Sequence, residues 1–228
     1  MSEAGRRWQA LQERLAYRFH DLGLLTTALR HRSAGEGHNE RLEFLGDAAL
    51  DLAVAELLYG RYPEEPEGIL SRARASLVRQ ETLAAAALRL GLDELLVIGE
   101  GERRAGGNRR PSLLADALEA IVGAVLLDGG YEAARELVAR VLEPELAALG
   151  PLERLKDPKT RLQEWLQGRH HPVPRYEIVS VSGPAHAQHF RVRAQAEAIG
   201  LSAEGEGPSR RAAEQDAAAK ILAQLGET

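Results

Sequence analysis

Apolar residues recur at helical spacing through most of the first 150 positions of the chain. Trp8 to Leu15 and His20 to Arg30 carry them at three- and four-residue intervals, the polar stretch Ser33 to His38 reads as a loop, and a long helix is expected from about Asn39 to Tyr59. Two prolines between Arg61 and Gly68 end that helix. Ile69 to Arg79 and Glu81 to Leu90 follow with the same period, and Gly91 supplies a stop. The glycine- and arginine-rich stretch Glu100 to Pro111 reads, taken alone, as a solvated loop. It feeds Ser112, the expected N-cap of a helix reading LLADALEAIVGAVLLD that closes at Gly129-Gly130. Tyr131 to Leu149 completes a half in which no strand is expected.

Beyond Gly150-Pro151 the period changes. Asp157-Pro158 offers an N-cap and a favoured first helical residue for TRLQEWLQ. Tyr176 to Val181 is rich in β-branched residues, and His189 to Glu197 alternates, with Phe190, Val192, Ala194 and Ala196 on one face. Leu201 to Glu204 makes a third, short strand, and Ser209 caps a last helix. The expected architecture is an all-α domain over residues 1–150, a linker at 151–156, and a small α+β domain of order α-β-β-β-α over 157–228.

Candidate chemistry lies where the apolar pattern is interrupted by acids. In Asn39 to Ala48, NERLEFLGDA, the carboxylates Glu40, Glu43 and Asp47 fall on one face, while Leu42, Phe44, Leu45, Leu50 and Leu52 cover much of the rest. That is the pattern of a helix buried on nearly every side. Carboxylates there are either protonated or gathered round a cation. Asp116 and Glu119, three residues apart in the later apolar helix, form a second such pair. Either pair alone reads as a solvated acidic stripe, but both occupy the most apolar stretches of the half, and burying four charges without a cation costs several kcal/mol each. A di-iron bundle would want His three residues after each Glu, where this chain has Gly46 and Val122. Oxygen ligands alone point to Mg²⁺, with Mn²⁺ as substitute, and so to phosphate chemistry. Asp51 continues the ladder and reads as structural or solvated.

Composition adjusts this picture in two ways. The net charge of −5 argues against a nucleic-acid partner, but the acidity is local: residues 1–155 hold 19 Lys+Arg against 25 Asp+Glu, and 156–228 hold 10 against 9, with four of the seven histidines. With no cysteine, disulfides and thiolate metal sites are excluded. No apolar run approaches the ~18–20 residues of a membrane span. The first residues lack the apolar core of a secretory signal, so a cytoplasmic protein without membrane contact is expected.

NERLEFLGDA resembles the signature of the ribonuclease III family, whose members cleave double-stranded RNA. Leu29-Arg30-His31-Arg32-Ser33, Glu67-Gly68 with Ser71-Arg72, and Leu114-Ala115-Asp116-Ala117-Leu118-Glu119-Ala120 resemble the same family in the same order. The resemblance implies that Glu43, Asp47, Asp116 and Glu119 are catalytic metal ligands and that Glu40 and Glu67 are auxiliary acids. It implies a homodimer in which Phe44 contacts the partner, whereas the residue pattern alone would make Phe44 an ordinary core aromatic. The C-terminal segment resembles the double-stranded-RNA-binding domain. Gln163, Glu164 and His186 then match minor-groove contacts, and Ser209, Arg210 and Arg211 match phosphate contacts. Glu214 stands where many members have a third basic residue and Asp216 where alanine is usual, so weak, salt-sensitive binding is expected. The family's reaction would leave 5′-phosphate and 3′-hydroxyl ends with a short 3′ overhang, in the processing of ribosomal RNA precursors and messenger RNA. The competing reading, a non-catalytic double-stranded-RNA-binding protein, leaves four costly carboxylates without a purpose.

Overall fold

The computed structural model describes residues 3–150, 152, 157–184 and 187–227. The chain divides into two compact units, Met1–Leu152 and Glu153–Thr228. The first contains α1 (Glu3–Leu15), α2 (Leu22–Ala28), α3 (Glu40–Arg61), α4 (Glu67–Leu77), α5 (Gln80–Arg89), α6 (Glu100–Arg104), α7 (Pro111–Val141) and α8 (Glu143–Ala148). α7 is the spine: α3 packs along it most extensively, and α5 and α2 lie against it too. Leu50, Leu58, Leu83, Leu114, Leu118 and Ile121 are fully buried at these contacts. Each such side chain contributes about 1.5–3 kcal/mol by leaving water.

Two glycines set the α3–α7 crossing. A Cβ at Gly46 would lie 1.8 Å from the carbonyl oxygen of Glu119, and one at Gly123 would lie 2.2 Å from that of Leu42. Backbone therefore meets backbone, closer than side chains would allow. α7 is broken at Gly130, whose φ of 81° and ψ of 179° are open to glycine alone. Just before the break Asp128 accepts from the Tyr17 hydroxyl at 2.7 Å and from the amides of His20 and Asp21 at 2.9 Å each, fastening the α1–α2 connection to the spine.

Three expectations change. The stretch after Glu100 is not a plain loop, since Glu100–Arg104 forms α6. α7 starts two residues earlier than expected, with Pro111 in its first turn and Arg110 as N-cap, so Ser112 lies inside the helix. α3 is not buried all round: Phe44 is 81% exposed, Leu52 56% and Tyr59 76%, an apolar stripe facing away from the core. Hydrophobicity along a helix marks faces that avoid water, but not whether the cover comes from the same chain.

The second unit contains α9 (Pro158–Gln167), β1 (Arg175–Ser182), β2 (His189–Ala196), β3 (Leu201–Gly207) and α10 (Arg210–Gln224). The strands form an antiparallel sheet of order β1-β2-β3, with a bulge in β1 between Ile178 and Ser180. β3 runs on to Gly207, three residues beyond expectation. At Gly205 a Cβ would meet Ala217 N at 2.2 Å, so α10 lies directly on the strand. Leu162 and Leu166 from α9, Ala194 and Ala196 from β2, and Ile221 and Leu222 from α10 close the core. The caps are as read from sequence: Asp157 accepts from Thr160 N at 2.9 Å and Ser209 from Ala212 N at 3.2 Å.

Candidate active site and nucleic-acid interface

The α3–α7 crossing brings Glu43, Asp116 and Glu119 together, with one carboxylate oxygen from each lying within 4.8 Å of the others, all three side chains half-buried. Glu43 leans from α3, and Asp116 and Glu119 from successive turns of α7 one step from the glycine contact. Burial pushes the Glu119 carboxyl up to about 8, and the charges of Asp47, Asp116, Glu43 and Asp51 add to the rise. Glu43 is raised by burial first and then by Asp116 and Glu40, with Arg32 opposing. Asp116 is raised by burial, against the pull of His31 and Arg32. A cluster in which all three carboxyls are raised is a place where a divalent cation replaces protons.

The donor set fits a hard cation. All three residues would offer carboxylate oxygens, the donors that such an ion prefers. One oxygen of Asp51 is buried with no hydrogen-bond partner among the described residues, and it is close enough to raise Glu119. Asp51 is thus neither plainly solvated nor structurally bonded.

The structure does not bring every candidate into this group. Asp47 is exposed and stands outside the three-residue cluster, though its charge is felt by Glu119 and Glu43. Four residues along a helix advance about 6 Å, so an acid one turn from Glu43 shares its face without sharing its position. Glu40, also exposed, pairs with Arg32 at 3.1 Å and lies 3.6 Å from His38. Glu67 is elsewhere: it accepts from Ser71 Oγ at 2.6 Å and lines an apolar depression of about 350 Å³ with Leu58, Tyr59 and Leu70.

A cleft of about 360 Å³ opens beside Glu43 and Asp116, and His31, Arg32, Ser33 and Arg110 line its other side. None of these four was singled out as a site residue from sequence, although the motif Leu29 to Ser33 contains three of them. Arg32 is paired there with Glu40 and Arg110 with Glu102 at 3.2 Å, so the cleft sets arginines beside acids, a mixture that suits a strand of phosphates once a cation is present.

On the second unit Ser209, Arg210 and Arg211 stand exposed at the start of α10. Arg210 Nε donates to Glu214 at 2.8 Å, and Lys159 of α9 donates to the other Glu214 oxygen. Burial alone would raise the Glu214 carboxyl, but these two cations hold it below the usual range. Asp216 is likewise occupied, by Lys220 and by the amide of Glu206. The two acids noted as departures are therefore internal ties rather than free negative charge, and Glu214 fixes the direction of Arg210. Gln163 and Glu164 are exposed on α9, while His186 lies outside the described residues.

Carboxylates converging on crossed helices, in a chain that also carries an α-β-β-β-α unit with arginines at a helix start, define a class: nucleases that bring their own RNA-binding module. Residues 21–146 match the model of the ribonuclease-III-like family, and residues 158–225 match that of the double-stranded RNA binding motif. The chain is 51% identical over 217 residues to a ribonuclease 3 of Dechloromonas aromatica, covering 95% of this chain and 98% of that one. It is 54% identical over 211 residues to one of Xanthomonas oryzae pv. oryzae, covering 92% and 93%. Among solved structures it resembles the nuclease domain of ribonuclease III from Campylobacter jejuni, in a study of flexibility in a region involved in that domain's dimer formation. That likeness has a TM-score of 0.59 and 42% identity, over 61% of this chain and 98% of that one. The chain belongs to the ribonuclease III family, and it is an endoribonuclease with a C-terminal double-stranded-RNA-binding domain.

Proposed function

We propose that the enzyme hydrolyses phosphodiester bonds in both strands of double-stranded RNA at the α3–α7 cluster, with Glu43, Asp47, Asp116 and Glu119 holding Mg²⁺, or Mn²⁺ in its place. The observation that carries this reading is the convergence of Glu43, Asp116 and Glu119 with their carboxyl groups held above the ordinary range. When bound, the ion supplies an activated water and neutralises charge on the phosphoryl oxygens. The chain's own residues do the rest. Glu119, as the carboxylate, would complete the oxygen donor set. Arg32 and Arg110 on the cleft rim draw the strand in, and Glu40 keeps Arg32 turned toward the site. Cleavage leaves 5′-phosphate and 3′-hydroxyl ends.

The second domain selects the A-form duplex by shape, with Ser209, Arg210 and Arg211 on phosphates and Gln163 and Glu164 in the minor groove. A homodimer, with Phe44 and its apolar stripe covered by a second copy, supplies one cluster per strand and so the short 3′ overhang. The processing of ribosomal and messenger RNA in the cytoplasm is the setting that suits such an enzyme. Among the described residues no helix is long and apolar enough to cross a membrane. The test is cleavage of labelled duplex RNA with Mg²⁺ titrated against EDTA. Glu119→Gln and Asp47→Asn should abolish cutting while duplex binding in EDTA stays near normal; variants that cut at the wild-type rate would overturn the assignment.

A further inference from the structure

His31 lines the same cleft as Glu43 and Asp116, yet the roles assigned above leave it unused. Its ring is fixed on one side. Nδ1 accepts from the Ser33 amide at 3.2 Å, so that nitrogen carries a lone pair and not a proton. The Ser33 hydroxyl lies 2.8 Å from the same Nδ1 and is itself the acceptor for the Gly99 amide at 2.8 Å, which leaves its own proton for the imidazole. Two donors aimed at Nδ1 leave Nε2 as the nitrogen that carries the ring N–H. Nε2 has no hydrogen-bond partner among the described residues, and the side chain lines the cleft.

The mount is rigid. The His31 amide donates to Val97 O and the Val97 amide to Leu29 O, both at 2.9 Å, so residues 29–31 are zipped to the segment before α6. At Gly99 the backbone presses on Ser33 so closely that a Cβ would lie 2.3 Å from the Ser33 carbonyl oxygen. A satisfied core histidine would have both nitrogens bonded and would be buried. His31 has one nitrogen locked and one free, at the edge of an acidic cleft, where a fixed N–H has no use for another cation but suits an oxygen acceptor.

We propose that His31 is a further catalytic residue: its Nε2–H donates to a non-bridging oxygen of the phosphodiester held over the Glu43–Asp116–Glu119 cluster, fixing the phosphate for attack. This rests on the cluster being the cleavage site. A fixed N–H donor suits that place, because it orients the phosphate without displacing the carboxylates from a metal. The ribose 2′-hydroxyl beside that phosphate offers the same acceptor chemistry, so the test separates the two oxygens.

The test uses the full chain under single-turnover conditions with Mn²⁺, comparing wild type, His31→Ala, His31→Gln and Glu119→Gln. His31→Ala should slow cutting by roughly tenfold to a hundredfold. Duplex binding in EDTA should change by less than about threefold, since the lost contact acts on the reacting phosphate. His31→Gln, whose amide N–H can occupy the place of Nε2–H, should recover most of the rate. Sulfur is a poor hydrogen-bond acceptor, so a phosphorothioate at the cleaved position should penalise wild type more than His31→Ala. A 2′-deoxy substitution should penalise both alike. Wild-type cutting by His31→Ala while Glu119→Gln is dead overturns the proposal and leaves the active site standing. An equal phosphorothioate penalty in both enzymes, or coupling that appears with the 2′-deoxy strand instead, also overturns it. Wild-type cutting by Glu119→Gln overturns the active-site assignment and this proposal with it.

Discussion

Replacing Gly46 with alanine tests the α3–α7 crossing most directly. In a helix the change is ordinarily stabilising, by up to about 1 kcal/mol, because alanine loses less freedom on folding. Here the added methyl would sit 1.8 Å from the carbonyl oxygen and 2.6 Å from the carbonyl carbon of Glu119. Both are backbone atoms and cannot swing aside. Contact distances of ~3.0–3.4 Å require the helices to part by more than about 1 Å. Overpacking of this kind costs typically 1–3 kcal/mol, enough to reverse the sign set by propensity. The displaced atoms belong to Glu119 itself, so the injury reaches the cluster undiluted, and a 1 Å misplacement of a reacting group costs about a hundredfold in rate. Gly60→Ala on the same helix, with nothing within 4 Å of the new methyl, is the control and should be neutral or stabilising. Urea unfolding followed by circular dichroism gives the stabilities, and single-turnover cleavage of duplex RNA gives the rates. A Gly46→Ala protein as stable as Gly60→Ala and cutting at the wild-type rate would refute the close crossing as the device that assembles the site.

Three further outcomes are expected. In EDTA, Glu119 holds its proton up to about pH 8 in the folded chain but only to 4.5 when unfolded. Its contribution to stability is therefore full below the unfolded value and is lost as pH rises through the folded one. Melting of the metal-free protein should fall between about pH 4.5 and 8, Mg²⁺ should restore more at the upper end, and Glu119→Gln should flatten the profile; a wild-type curve in EDTA that is already flat would contradict the burial argument. Phe44→Asp should convert a dimer to monomers in sedimentation velocity at micromolar concentration, and an unchanged mass would remove Phe44 from the interface. Glu214→Ala should lower the stability of the second domain by about 1–3 kcal/mol and weaken duplex RNA binding, by releasing Arg210 and stranding Lys159. Simple charge counting gives the opposite sign, so tighter binding would show that Glu214 acts as free negative charge.

The helical period placed Glu43 on one face of α3 and paired Asp116 with Glu119 on one face of α7, because 3.6 residues per turn is a local property that a sequence displays openly. Alternation at Phe190, Val192, Ala194 and Ala196 identified β2 for the same reason. What stayed hidden depends on contacts between elements. The burial ascribed to Phe44 and Leu52 was read from hydrophobicity, which does not say which chain provides the cover. Asp47 shares a face with Glu43 but not a depth, and depth is set by where α7 crosses. Glu214 looked like a misplaced surface charge because Lys159, its partner, is 55 residues away in sequence. His31 was quoted within a motif, but its locked tautomer arises from Ser33 and from Gly99, 66 residues beyond that serine.

Glu43 and Phe44 are consecutive residues on a single unbroken 22-residue helix, one turned toward the acidic cluster and the other toward solvent. Exposed positions usually accept substitution within about 0.5 kcal/mol. That latitude does not extend to the stripe of Phe44, Leu52 and Tyr59. α3 has no hinge between its two faces, so a change that rocks the helix by a few degrees on its outer side rotates the carboxylate on its inner side by the same angle. The outer surface of α3 is in this sense an extension of the active site, and its tolerance to mutation is set by the geometry of the cluster and not by its own contact with water.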